Sequence, residues 1–277
     1  MTPSDLSAAL RQRLPSFRAE EIQAAVSEAA AIFSQIENPD WPPPPDYSKA
    51  YTICMTPRAG TTFLAHAMTT AGIFGHPQEY LHRLEPTALR DHARLYRANS
   101  WPSYLAALGS RTRTNNGIFG VKADPNMLLP LLVDGTFDHT LVRGKFIYVT
   151  RGDLVMQAIS HTKAQFTGSW SSDVRPRTTP EFDFGAIYNN VLHLADMRSR
   201  WESFFAYHGI TPLRVTYEHI DLDIDAVLSR ISAFLGLPSP QRQPRVSNKH
   251  QRDDTSAAWR ERFLSTLGLK QKSYTPA

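Results

Sequence analysis

Two rhythms of apolar and polar positions alternate along this chain. Short apolar runs read as β-strands: 50–56 (AYTICMT), 117–123 (GIFGVKA), 144–150 (GKFIYVT) and 211–218 (TPLRVTYE). Between them, apolar residues recur at helical spacing. In 61–71 the repeating face is Phe63, Leu64, Ala67, Met68 and Ala71, with Gly72 as a C-terminal cap. A helix follows the third strand at once, from about Asp153 to Ala164. The segment 184–208 predicts a long helix with Ile187, Val191, Leu194, Trp201 and Phe205 inward, ended by Gly209. A last one spans 222–235 and stops at Gly-Leu-Pro. Upstream, 17–36 is rich in Ala and Glu and free of Gly and Pro. Ile22, Val26, Ala30 and Phe33 share one helical face there. The stretch 38–48 (NPDWPPPPDYS) is a proline-stiffened linker. Strands alternating with helices predict an α/β fold with a central parallel sheet and helices on both faces. The expected organisation is an N-terminal helical extension with its linker over 1–48 and one main domain over 49–277.

Composition narrows the class. The chain has 277 residues, 42% of them hydrophobic and 20% charged, as in a soluble globular protein. Its net charge of +4 suits an anionic ligand. No Lys/Arg block accompanies that charge, so nucleic acid is not an expected partner. Cys54 is the single cysteine, which excludes an intramolecular disulfide, and its apolar surroundings predict a buried, inert thiol. No Cys/His cluster points to zinc. The first residues, MTPSDLSAALRQRLP, lack the basic and apolar regions of a signal peptide. No apolar run approaches the ~20 residues of a membrane helix. The expected location is the cytoplasm, with no integral membrane segment.

The chemistry starts at 51–64 (YTICMTPRAGTTFL). A strand that runs into Gly-Thr-Thr and then a helix presents unpaired backbone N–H groups at the positive end of the helix dipole. Gly60 lets the backbone approach an anion closely, and Thr61 and Thr62 add hydroxyls. Arg58 brings a forked guanidinium suited to phosphate or sulfate oxygens. The nucleotide-triphosphate loop GxxxxGK[ST] is nonetheless absent, since no lysine follows Gly60 and no first glycine stands at its spacing. With no obvious acidic magnesium site either, kinase or ATPase chemistry is disfavoured.

A second anion site is expected at 148–160 (YVTRGDLVMQAIS). Arg151 leaves a strand end, Asp153 caps the next helix, and Ser160 lies about two turns on. In 72–82 (GIFGHPQEYLH), Glu79 occupies a loop near the end of the first β-α-β unit, with His76 and His82 nearby. His76 and His82 are titratable groups, and either is a candidate base or acceptor contact. Lys122 ends a strand on the side where α/β sheets bind ligands.

The motifs TPRAGTTFL, GHPQEYL and RGDLVMQAISHTKAQFTGSW, with FGVKAD at 119–124, resemble the bacterial trehalose-2-sulfotransferase-like family, which includes relatives acting on lipopolysaccharide. The resemblance covers about 50–265. It implies a P-loop-type three-layer α/β/α fold and 3′-phosphoadenosine 5′-phosphosulfate (PAPS) as sulfuryl donor, with no metal. On that reading Arg58, Ala59, Gly60, Thr61 and Thr62 cradle the 5′-phosphosulfate. Arg151 and Ser160 hold the 3′-phosphate, and Glu79 is the general base. Family loops usually carry hydroxyls where Ala59 stands, and Thr61 replaces a Ser. Thr150 replaces one of two adjacent basic residues, which leaves Arg151 alone. The acceptor stays open among trehalose, a glycolipid, a lipopolysaccharide sugar or another small hydroxylated metabolite. The family often dimerises, but no interface signature is visible here.

Two further stretches complete the expectations. The segment 241–263 is loop-like, then helical, and carries Arg242, Arg245, Lys249 and Arg252 ahead of its first acid, Asp253. Sulfotransferases commonly close over the donor with a basic C-terminal segment, for which Gln251 and Arg252 are the candidates. The long loop 166–183 holds Trp170, as a stacking ring or a core anchor. Two other classes stay open: a P-loop kinase for a small acceptor, and a nucleotide-binding regulator that retains the fold without catalysis.

Overall fold

The computed structural model of the protein describes residues 14, 16–33, 41–82, 88–170, 178–240 and 254–269, without the side chains of 28–30 and 88. Four parallel strands form the sheet: β1 (Ala50–Cys54), β2 (Phe119–Ala123), β3 (Lys145–Thr150) and β4 (Leu213–Thr216). Their spatial order is β2-β1-β3-β4. Ala50 to Cys54 pair in register with Phe119 to Ala123, and Tyr51 to Cys54 with Lys145 to Tyr148. β3 pairs with β4 from Ile147–Leu213 to Thr150–Thr216.

All five residues of both β1 and β2 are buried, because helices cover both faces of the sheet. The alternating pleat sends successive side chains into two different cores. Ala50, Cys54, Phe119, Val121, Phe146 and Tyr148 enter one. Against them pack α1 (Ala19–Phe33), α3 (Ala88–Leu95), α4 (Trp101–Thr112), α5 (Pro125–Asp134) and the C-terminal half of a long α7 (Phe184–His208). Tyr51, Ile53, Ile147, Val149 and Val215 enter the other, against α2 (Thr61–Thr70), α8 (Tyr217–Leu222) and α9 (Ile224–Leu235). α6 (Leu154–Thr167), the first half of α7 and α10 (Asp254–Thr266) enclose a third cluster around Ile159, Leu194 and Phe263. The result is the expected three-layer α/β/α architecture.

The N-terminal helix does not stand apart from this frame. Leu14, Ile22, Ala25 and Ile32 belong to the same buried cluster as β1 and α5. Arg200 fastens the helix from α7. It pairs with Glu21 at 3.0 Å and lies over the Phe17 ring at 5.0 Å. Cys54 is fully buried, and burial pushes its thiol well above the usual range, as expected of an inert cysteine.

Several element boundaries shift from expectation. The first strand stops at Cys54 rather than residue 56, because Met55 onwards turns into the loop. The fourth strand keeps only 213–216, since Thr216 caps α8 through the His219 N–H. Val26, expected inward, is exposed, and Ala30 lies among the undescribed side chains. The helices α3, α4 and α5 are additional to those the apolar rhythm predicts.

Candidate anion-binding and transfer site

The site forms where β1, β2, β3 and β4 all deliver their carboxyl ends. β1 sends its crossover to β2 on one side while β3 adds on the other, so the order reverses between β1 and β3. A crevice opens at such a switch point. The loop 55–60 leaves β1 there and feeds α2, whose N-cap is Gly60 in the left-handed region at φ 83°. A Cβ on Gly60 would lie 2.7 Å from Cδ2 of Tyr217, so no side chain fits there. Arg58 also has positive φ, 64°, a conformation that costs a non-glycine residue of order 1–3 kcal/mol.

The surrounding structure imposes this loop shape from several sides. The Met55 N–H donates to the Ala123 carbonyl at 2.9 Å, and the buried Trp201 Nε1 donates to the Met55 carbonyl at 2.8 Å. Gln157 of α6 donates through Nε2 to Thr56 Oγ1 at 2.8 Å and to the Pro57 carbonyl at 2.7 Å. Arg198 of α7 holds Gln157 in turn, donating to its Oε1 at 2.7 Å. In the first turn of α2, Thr61 is buried and its hydroxyl donates to Met55 Sδ at 3.3 Å, while Thr62 is exposed.

Arg58 and Ser160, expected at opposite ends of a donor, meet here. Arg58 Nε donates to Ser160 Oγ at 3.0 Å, and its NH1 donates to the Trp170 carbonyl. Arg151 is buried and lies over the Tyr217 ring at 4.5 Å. Burial, then the Arg151 charge, ease loss of the Arg58 proton, which is the mark of two guanidiniums brought together. An anion between them relieves both costs. Asp153 caps α6 through the Met156 N–H at 2.9 Å, as expected, and also pairs with Arg260 of α10 at 3.0 Å. The Glu218 carboxylate accepts from the Gly152 N–H at 3.1 and 3.2 Å, which ties the β3 and β4 exits together.

On the other flank, Glu79 and Lys122 form an ion pair, Oε1 to Nζ 2.8 Å. Lys122 Nζ also donates to Thr62 Oγ1 at 3.2 Å. Lys122 is therefore an interior residue, 2% exposed, whereas Glu79 keeps 35% of its side chain accessible. His76 is exposed and His82 is half-buried. Trp170 is half-exposed rather than a core anchor. Gln251 and Arg252 lie outside the described residues. Tyr217, Gln157, Arg198 and His161 join the site without having been singled out from sequence. A helical-face reading of 153, 157, 160 and 161 finds Gln157 and His161, since residues three and four apart share a face.

His161, 5% exposed, lies 5.6 Å from the Trp170 ring and 6.2 Å from His193. Burial, then His193, then Arg58 lower its pKa from 6.5 to about 4. The unfolded chain thus takes up a proton below pH 6.5 that the folded chain refuses until about pH 4. Stability falls as pH drops through that window, by up to about 3 kcal/mol, and does not respond to this group above it. Urea unfolding at pH 7 and pH 4.5 checks this: His161→Leu flattens that part of the acid limb.

A strand, a tight glycine turn and a helix at the carboxyl edge of a parallel three-layer sheet define a P-loop-type α/β protein, here with arginine in the turn. The family model for Stf0 sulphotransferase matches residues 50–266, and the chain belongs to that family. It is a sulfotransferase. Two similar proteins are both named trehalose 2-sulfotransferase. The one from Mycolicibacterium smegmatis is 25% identical over 79% of this chain and 95% of its own length. That from Mycobacterium tuberculosis is 24% identical over 80% and 97%. Among solved structures, a sulfotransferase domain from the curacin biosynthetic pathway aligns over 84% of this chain and 100% of its own, at 16% identity and TM-score 0.41.

Proposed function

We propose that this protein transfers a sulfuryl group from PAPS to a hydroxyl of a carbohydrate, glycolipid or similar small acceptor, with Glu79 as general base. The observation that carries the reading is the placement of Glu79. Its accessible carboxylate sits on an ammonium that also touches Thr62, in the first turn of the phosphate-loop helix. Base and anion cradle are thereby neighbours. The names of the two mycobacterial relatives favour a sugar acceptor, trehalose among the first to try.

PAPS supplies the activated sulfuryl group. The residues of this chain do the rest. The α2 N–H groups and Arg58 face the negative charge that grows on the leaving phosphate side, and preorganised donors of this kind stabilise it without reorganising. Arg151 and Ser160 take the second phosphate of the nucleotide. Arg58 gives up its contacts to Ser160 and Trp170 for that charge. Glu79 accepts the proton of the attacking hydroxyl, a contribution of about 10²–10⁴-fold in rate. In-line positioning does much of the remaining work, as in phosphoryl transfer.

Calorimetric titration tests the donor class. Adenosine 3′,5′-bisphosphate is expected to bind without metal, and ATP with magnesium is not. Binding of ATP alone overturns the reading in favour of a kinase. Bisphosphate binding with no turnover of PAPS over a panel of sugars leaves the silent regulator.

A further inference from the structure

We propose that Lys122 is a positioning residue for the transfer: it supplies from β2 the ammonium that the phosphate loop lacks, and uses it to hold the Glu79 carboxylate at the start of α2. This inference rests on Glu79 being the base.

The loop carries Thr61 where nucleotide-triphosphate loops carry lysine. An ammonium reaches the same helix start nonetheless, 3.2 Å from Thr62 Oγ1. It comes from the neighbouring strand because β2 pairs with β1 in register, Lys122 opposite Ile53. The pleat turns residue 122 toward the α2 side, while Val121 and Ala123 face the opposite core.

The Glu79 loop is fastened to β2 twice. The Lys122 backbone N–H donates to the Gln78 carbonyl at 2.9 Å, and the side chain holds Glu79 at 2.8 Å. The neighbourhood makes the second fastening necessary. Asp124, which caps α5 through the Met127 N–H, is half-buried nearby. Burial first, and the Glu79 charge among the lesser causes, push its carboxyl up. The Glu79 charge therefore sits beside a second acid and needs a cation to stay where it is.

Stability alone is a poor reason for this pair. A buried ion pair replaced by an apolar side chain is often neutral or stabilising, because two charges regain their desolvation cost. A buried lysine with a half-exposed partner at a ligand crevice fits a demand for geometry better.

The test is a double-mutant cycle on the full chain. Release of adenosine 3′,5′-bisphosphate from PAPS is followed over a panel of mono- and disaccharides that includes trehalose. Lys122→Met is expected to lower kcat by about 10²-fold, within the range of general-base catalysis. Its affinity for the bisphosphate stays within about threefold. The double variant Lys122→Met/Glu79→Gln is no slower than Glu79→Gln, since two residues acting as one unit are not additive. Lys122→Arg recovers part of the loss. Turnover of Lys122→Met near wild type overturns the inference, as does a loss that multiplies with that of Glu79→Gln. Undiminished turnover of Glu79→Gln instead overturns the base assignment and this inference with it. No release by the wild type over the whole panel overturns the sulfotransfer reading itself.

Discussion

Replacing Glu79 with glutamine is expected to lower turnover by about 10²–10⁴-fold while leaving the affinity for adenosine 3′,5′-bisphosphate nearly unchanged. The two side chains have the same shape. The amide oxygen of glutamine still accepts from Lys122 Nζ, which now stands 2.8 Å from Glu79 Oε1, so the crevice is not rebuilt. What is lost is a site for the hydroxyl proton. The residues proposed to hold the nucleotide lie elsewhere, on the first turn of α2 and at Arg58, Arg151 and Ser160, so binding of the product nucleotide is expected to be spared. Steady-state kcat with PAPS, set beside calorimetry with the bisphosphate, separates the two effects. Unchanged turnover removes Glu79 from the mechanism and passes the role to His82 or His76, the other titratable groups of that loop.

The second large effect is on folding. Trp201→Ala is expected to destabilise the protein by about 3–5 kcal/mol, the usual range for truncating a buried aromatic. Trp201 is 0% exposed and stacks on Phe205 at 5.6 Å, with Phe204 edge-on at 5.5 Å. Its indole N–H is also the partner of the Met55 carbonyl, at the point where β1 becomes the phosphate loop. Trp201→Phe isolates that bond. It keeps most of the packing and leaves a buried carbonyl without its donor, at a cost of about 1–3 kcal/mol. Denaturant midpoints of the two variants measure both parts. A Phe variant as stable as the wild type means that the carbonyl finds another donor and that Trp201 acts through packing alone.

These two side chains divide the molecule into what its sequence announces and what it conceals. The strand from Ala50, two residues shorter than its apolar run, and the helix from Thr61 follow from local chemistry: an apolar run and a periodic apolar face. So do the caps Asp153, Gly72 and Gly209, each within a few residues of what it satisfies. Glu79 and Arg58 were singled out through motif and resemblance, and the structure places both at the carboxyl edge of the sheet. The helices α4 and α5 were hidden because most of their residues are buried, so no polar stripe marks a period. α3 is short, and its apolar face reads only once the aromatic cluster of Tyr80, Tyr96 and Tyr104 is assembled around it.

Partnerships across the chain needed the fold. Arg58 and Ser160 are 102 residues apart, and Trp201 and Met55 are 146 apart. Lys122 reads as a strand-end lysine until β2 is placed beside β1, and then becomes an interior cation on Glu79. Periodicity and caps act over one or two turns of backbone, so a single sequence displays them directly. Strand order and register come from the packing of both cores at once, a sum over the whole chain that no short stretch carries. The loop 55–60 and its helix were therefore legible in the sequence, and the side chains that set the loop's shape and tie it to Glu79 were decided by the tertiary structure.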